Sequence, residues 1–143
     1  MNHRFASTAD CAMLAEWNRQ LIQDEGHRNP MGLDELEQRM RAWLSSGEYR
    51  AVIFEDSREQ VAYALFREMK DEIYLRHFFV VRHRRREGLG RCAMKHLFEM
   101  WPHGKRLTVS VLVHNLPALA FWRAVGYADY MLTLEIMPER SGK

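Results

Sequence analysis

The 143-residue chain is 47% hydrophobic and 28% charged, a globular composition at the length of one ordinary domain. Its 21 Lys and Arg against 19 Asp and Glu leave a formal charge of +2, which argues against a surface built throughout for nucleic acid. No uninterrupted apolar run approaches the roughly 20 residues of a membrane helix. No apolar signal segment follows Met1, and Cys11 and Cys92 show neither CxxC nor metal-ligand spacing, so free thiols and a cytoplasmic location are expected.

In chain order, His3–Ala6 reads as a short first strand. Ser7 or Thr8 caps a helix with Leu14, Trp17, Leu21 and Ile22 on its apolar face, and Gly26 closes it. After a loop at Pro30 and Gly32, a second amphipathic helix carries Leu36, Met40, Trp43 and Leu44 and stops at Gly47. Residues 51–54 and 61–66 read as strands joined by a polar turn, in hairpin geometry. Residues 73–81 form the longest strand candidate, rich in β-branched and aromatic residues. A helix over 88–101 follows, then a strand over 107–113. Asn115 caps a helix that tolerates Pro117 in its first turn, and residues 127–136 read as a last strand. The order β-α-α-β-β-β-α-β-α-β predicts a mixed α/β sheet with helices on both faces, one domain over 1–143.

The unusual local feature is Arg82-His83-Arg84-Arg85-Arg86, four arginines in five positions, followed by Gly88-Leu89-Gly90 at a helix start. The first-turn N–H groups of a helix lack intrahelical partners, the macrodipole adds positive charge there, and glycines admit close approach, so such a loop binds phosphate through main-chain amides. Arginines add fork-shaped donors. A dinucleotide-binding turn fits poorly, because six residues separate Val81 from Gly88 and no acid stands at positions 109–113. A Walker loop is excluded by the lack of Gly-Lys-Ser/Thr. A nucleic-acid patch lacks a recognition helix or aromatic stacking set.

These residues resemble the GNAT superfamily of acetyl-CoA-dependent N-acetyltransferases. Arg85 falls on the Arg/Gln position of its R/Q-x-x-G-x-G/A signature, and Gly88 and Gly90 on the two small positions. A second signature, N-x-x-A-x-x-F-Y-x-x-x-G-F, is matched by Asn115-Leu116-Pro117-Ala118-Leu119-Ala120-Phe121-Trp122-Arg123-Ala124-Val125-Gly126-Tyr127. The resemblance implies a splayed central sheet, with acceptor-side helices over 1–48, a cofactor-binding core over 49–137 and a tail over 138–143. It implies acetyl-CoA as cosubstrate, a small-molecule or peptide amine as acceptor, and no metal, nucleic acid or membrane. Amides of Arg86, Glu87, Gly88, Leu89, Gly90 and Arg91 would hold the pyrophosphate. The backbone of Phe79, Val80 and Val81 would pair with the pantetheine arm or receive the oxyanion, and Asn115 and Phe121 would line the thioester end. A homodimer is the commonest assembly for such a chain.

The tyrosine that often protonates the leaving thiolate in this family is replaced by Trp122, whose indole N–H is not a useful acid. Tyr127, Tyr130, water or unassisted departure of the thiolate remain open, as does a non-catalytic acyl-CoA-binding role. His77, on the strand parity of Ile73, Leu75, Phe79 and Val81, is the leading base candidate because an accessible imidazole titrates near neutrality. A buried structural histidine is the alternative. Tyr74 and Glu72 are secondary candidates. Asp24 and Glu25 oppose the macrodipole at the end of the first helix and, with His27 and Asn29, are candidate contacts for a cationic amine.

Overall fold

A computed structural model describes residues 1–138. The α1 helix (Cys11–Glu25) buries Cys11, Leu14, Ala15, Asn18 and Leu21 at three- and four-residue spacing, and Gly26 ends it at φ 65°. Its start is fixed by Asp10, whose carboxylate accepts from the Ser7 N–H at 2.8 Å and pairs with Arg4 at 2.9 Å. The α2 helix (Leu33–Ser46) buries Leu36, Met40 and Trp43.

Strands β1 (Asn2–Phe5), β2 (Arg50–Asp56), β3 (Glu59–Glu68), β4 (Glu72–Val80) and β5 (Arg106–Val109) lie side by side in chain order. All neighbours are antiparallel except β4 and β5. Ser57 and Arg58, with φ of 52° and 67°, make the two-residue turn between β2 and β3. Positive φ at both central positions matches the right-handed twist of the flanking strands.

Helices cover both faces. On one, Trp17 of α1 stacks on Tyr63 at 6.0 Å, and Trp43 of α2 meets His77 at 5.8 Å. On the other lie α3 (Leu89–Met100) and α4 (Leu116–Ala124). There Phe78 packs on Phe121 at 5.8 Å, and Phe66 on Trp101 at 5.3 Å.

Two irregularities shape the interior. The β3–β4 register passes from Leu65↔His77 to Phe66↔Leu75, so Arg76 is an extra residue in β4. Such a bulge breaks the alternation of side chains. His77 and Phe79 share the α1–α2 face, Ile73 and Leu75 point to the other, and Arg76 joins His77 beside Trp43. The common parity expected for His77, Ile73 and Leu75 is therefore lost. Second, β5 pairs only Glu72–Leu75 of β4, so the sheet opens beyond Leu75↔Val109 as expected of a splayed sheet.

The strand expected over 127–136 does not form. Among the described residues the sheet ends at β5, itself shorter than the expected 107–113. Strand propensity is realised only where a neighbour completes the ladder. Here Arg123 pairs with Asp129 at 2.7 Å and Arg28 with Glu135 at 2.8 Å, which lead the segment to the α1–α2 connection. Leu132, Leu134 and Ile136 are left exposed. Of the expected tail, 139–143 lie outside the described residues.

Candidate active site

After β4 the chain makes a 3-10 turn over Arg82–Arg84, then rises through Arg86 at φ 67° and Gly88 at φ 80° into α3. The left-handed region strongly favours glycine, so Gly88 is required by its backbone even though an added Cβ would meet nothing within 4 Å. Gly90 is constrained by a side chain and not by its backbone. Its Cβ would come to 3.2 Å from Cε1 of Phe121. The first helical bond of α3 is Cys92 N–H to the Gly88 carbonyl. The six N–H groups from Arg86 to Arg91 have no protein acceptor among the described residues. They form a continuous anion cradle at a helix start.

The arginine side chains play another part. Arg84 donates to Asp56 at 2.6 Å, Glu59 at 2.7 Å and Glu87 at 3.1 Å, and these hydrogen bonds hold it firmly charged. His83 also meets Glu59. Arg82 and Arg85 share Asp24 at 2.8 and 2.7 Å, and Arg85 Nε donates to the Val80 carbonyl at 2.8 Å. Three of the four arginines thus brace the loop against carboxylates. Burial works against ionisation of Asp24, but the hydrogen bonds from Arg85 and Arg82 outweigh it and lower its pKa. Asp24, expected to contact a cationic amine, is engaged with the loop through Arg82 and Arg85.

The open edge of β4 lies beside this cradle. Val81 N–H donates to the Val61 carbonyl, and the Val81 carbonyl accepts from Arg84 N–H. In antiparallel alternation Phe79 then also exchanges its backbone bonds with β3, while Phe78 and Val80 turn theirs to the open edge. The edge expected at Phe79 and Val81 is therefore offered by Phe78 and Val80, and the Val80 carbonyl already accepts from Arg85. Phe78, Gly90 and Phe121 meet at the base of the opening, joining β4, α3 and α4. The Asn115 side chain accepts from Ala118 N–H at 3.3 Å and acts as the α4 cap.

The catalytic candidates divide sharply. His77 is 8% exposed, bonded through Nδ1 to the Tyr63 hydroxyl at 3.1 Å, and lowered to about 3 by burial and by the nearby Arg39, Arg76 and His27. It is a neutral structural imidazole at physiological pH and does not titrate near neutrality. Tyr127 packs on Trp122 at 5.4 Å and Phe98 at 6.3 Å, away from the β4 edge, and burial pushes its phenol up to about 12. Its hydroxyl is buried without a partner, and a raised phenol is a poor acid for a thiolate. Tyr74 sits in the paired half of β4, opposite Arg67 and Thr108, before the sheet opens. Tyr130 is 84% exposed and lies over Arg106. Trp122 is buried against Phe78, Phe121 and Tyr127.

Glu25 occupies a distinctive position. Its own carbonyl lies 3.4 Å from His114 Nε2, after β5, while its neighbour Asp24 binds the loop after β4. The end of α1 therefore bridges the two diverging strands. The half-buried Glu25 carboxylate has no hydrogen-bond partner among the described residues, and burial, with the adjacent Asp24 charge, raises its pKa. His27 is exposed at this mouth, whereas the Asn29 carboxamide oxygen accepts from Met31 N–H. Phe78, Arg39 and Arg76 escaped sequence reasoning. The register of the β3–β4 hairpin is the signal for Phe78; nothing local singles out the two arginines.

Residues 13–127 match the acetyltransferase (GNAT) family, and the chain belongs to it. Its class is thereby that of an acyltransferase. No curated protein sequence matches significantly. Among solved structures, a tetramutant of the BH1408 protein of Bacillus halodurans superposes with a TM-score of 0.80 at 18% identity, over 96% of this chain and 100% of the other. A predicted acetyltransferase of Clostridium acetobutylicum with acetyl-CoA gives 0.71 at 17%, over 95% of both chains. An aminoglycoside 6'-N-acetyltransferase of Acinetobacter haemolyticus gives 0.76 at 15%, over 99% of this chain and 100% of the other. At these identities the likeness is one of fold.

Proposed function

We propose that the chain transfers an acetyl group from acetyl-CoA to a primary amine of a small molecule or peptide, by direct attack of the amine on the thioester. The supporting observation is the run of six free amides from Arg86 to Arg91 beside the open edge of β4, within an acetyltransferase fold. The amides hold the pyrophosphate, and Phe78 and Val80 present main-chain groups to the pantetheine arm as an added strand would. The Val80 N–H stabilises the developing oxyanion. Acetyl-CoA supplies the activated acetyl group, and its thiol leaves without a side-chain acid, since Trp122 stands at that position.

Glu25 is the proton acceptor. It stands at the mouth between β4 and β5, carries no ion pair among the described residues, and its raised pKa brings it nearer the operating range of a base. On this reading the enzyme works in the cytoplasm, where free thiols such as Cys11 and Cys92 persist.

Calorimetry with acetyl-CoA and release of free thiol across a panel of amines test this reading. Absence of binding at millimolar acetyl-CoA overturns it. Tight binding with no turnover on any amine assigns instead a non-catalytic acyl-CoA-binding role, the reading favoured by Trp122.

A further inference from the structure

The α1–α2 face of the sheet holds two guanidiniums beside one aromatic ring. Arg39 Cζ lies 4.5 Å from the centroid of the Trp43 ring and Arg76 Cζ 4.8 Å. Arg76 Nη1 donates to the Tyr49 hydroxyl at 3.3 Å, and Tyr49 packs on Trp43 at 4.8 Å. Neither arginine has a carboxylate partner among the described residues. Arg39 Nε is buried with no acceptor among the described residues.

Trp43 attracts both cations, and Arg76 is exposed to solvent, so the residual cost lies with Arg39, whose Nε carries a desolvation penalty and whose charge is repelled by Arg76. Burial and the Arg76 charge both lower the Arg39 pKa. An anion with oxygens for both forks removes both costs.

The placement identifies which anion. Arg76 is the first residue beyond the last β4–β5 pair, at the apex of the opening. The bulge turns it to the α1–α2 face, beside His77 and opposite Phe78 and Phe121. Tyr63, bonded to His77, feels both the Glu25 and the Arg39 charges, so the acid and one of the two cations flank one region.

We propose that Arg39 and Arg76 form a carboxylate-binding subsite and that the acceptor amine is amino-acid-like, its carboxylate held by the two guanidiniums and its amine directed to Glu25. This rests on the acetyl-transfer reading above. Neutral His77 and un-ionised Tyr63 leave the anion without a competing negative charge on the strands beneath it.

The test compares free amino acids with their C-terminal amides as acceptors, alongside an acidic hexapeptide. Binding of N-acetyl-L-alanine, N-acetyl-L-glutamate and N-acetyl-L-phenylalanine, against their amides, is measured by calorimetry in the presence of CoA, independently of turnover. Carboxylates are expected to win by about tenfold or more in kcat/KM and in binding. Arg39→Gln and Arg76→Gln abolish that preference, Arg39→Lys partly restores it, and acetyl-CoA affinity is unchanged throughout. Preference for the hexapeptide keeps the subsite and assigns the carboxylate to a peptide. Equal use and equal binding of acids and amides overturn the subsite, as does a preference that survives both glutamine variants. Carboxylate binding without acetyl transfer keeps the subsite and overturns the transfer reading instead.

Discussion

The cofactor loop and the α1–α2 face use arginine in opposite ways. In the loop, Arg82, Arg84 and Arg85 are neutralised by Asp24, Asp56, Glu59 and Glu87, and the groups left without a partner among the described residues are main-chain amides. On the α1–α2 face, Arg39 and Arg76 stand without an acid among the described residues, and one Arg39 nitrogen is buried without a partner there. The density of charge in a sequence is therefore a poor guide to where charge meets ligand. The conspicuous run of arginines is largely scaffold, while two arginines far apart in the chain meet over one ring without an acid among the described residues.

The comparison is broken most decisively at Glu25. Glu25→Gln is expected to lower turnover by roughly 10²- to 10⁴-fold, with acetyl-CoA affinity in calorimetry unchanged. In the wild type, activity falls as pH drops through the raised Glu25 pKa, because the base must be ionised. Asp24 and Tyr63 are the titratable groups whose charges couple to Glu25, and His114 meets its carbonyl, so the acidic limb has to disappear in the glutamine variant for the assignment to stand.

On the cofactor side, Gly90→Val drives a side chain into Phe121 and is expected to weaken acetyl-CoA binding by about tenfold or more, an overpacking cost of roughly 1–3 kcal/mol. Arg86→Ala leaves the amides in place and has a smaller effect. Equal losses at the two positions would mean that side-chain charge, and not backbone, carries the affinity.

His77 makes a separate prediction about stability. Its pKa is about 3 in the folded protein and near 6.5 unfolded, so the unfolded chain binds more protons between these values. Stability then rises with pH across that window, by up to about 1.4 kcal/mol per pH unit, and the contribution is lost as pH falls below 6.5. Denaturant melts of His77→Gln should lack this slope. The smallest expected effect is at Tyr127. Tyr127→Phe removes a buried hydroxyl without a partner and stabilises by about 1 kcal/mol or leaves stability unchanged, with turnover unaffected. A large loss of turnover returns Tyr127 to the reaction.

Much of the cofactor side was legible because its determinants are local. The strand before Arg82, the spacing of Gly88 and Gly90, and the Asn115 cap are all written within short windows. The last strand was misread for the complementary reason: residues 127–136 have strand composition, yet a strand needs a neighbour, and β5 ends at Val109. His77 was misjudged because alternation identified its face but not its depth, and depth decides whether an imidazole titrates.

Composition, periodicity and two motifs thus determined the α/β class, the family resemblance and the order of elements through α4. Each follows from interactions among residues near in sequence, such as caps, turns and amphipathic stripes. Only the tertiary structure decided that the loop arginines face carboxylates, that Glu25 spans the opening, and that the bulge at Arg76 brings a second cation to Arg39. Those outcomes depend on burial and on charges meeting across α1, α2, β2 and β4, and no local pattern encodes them.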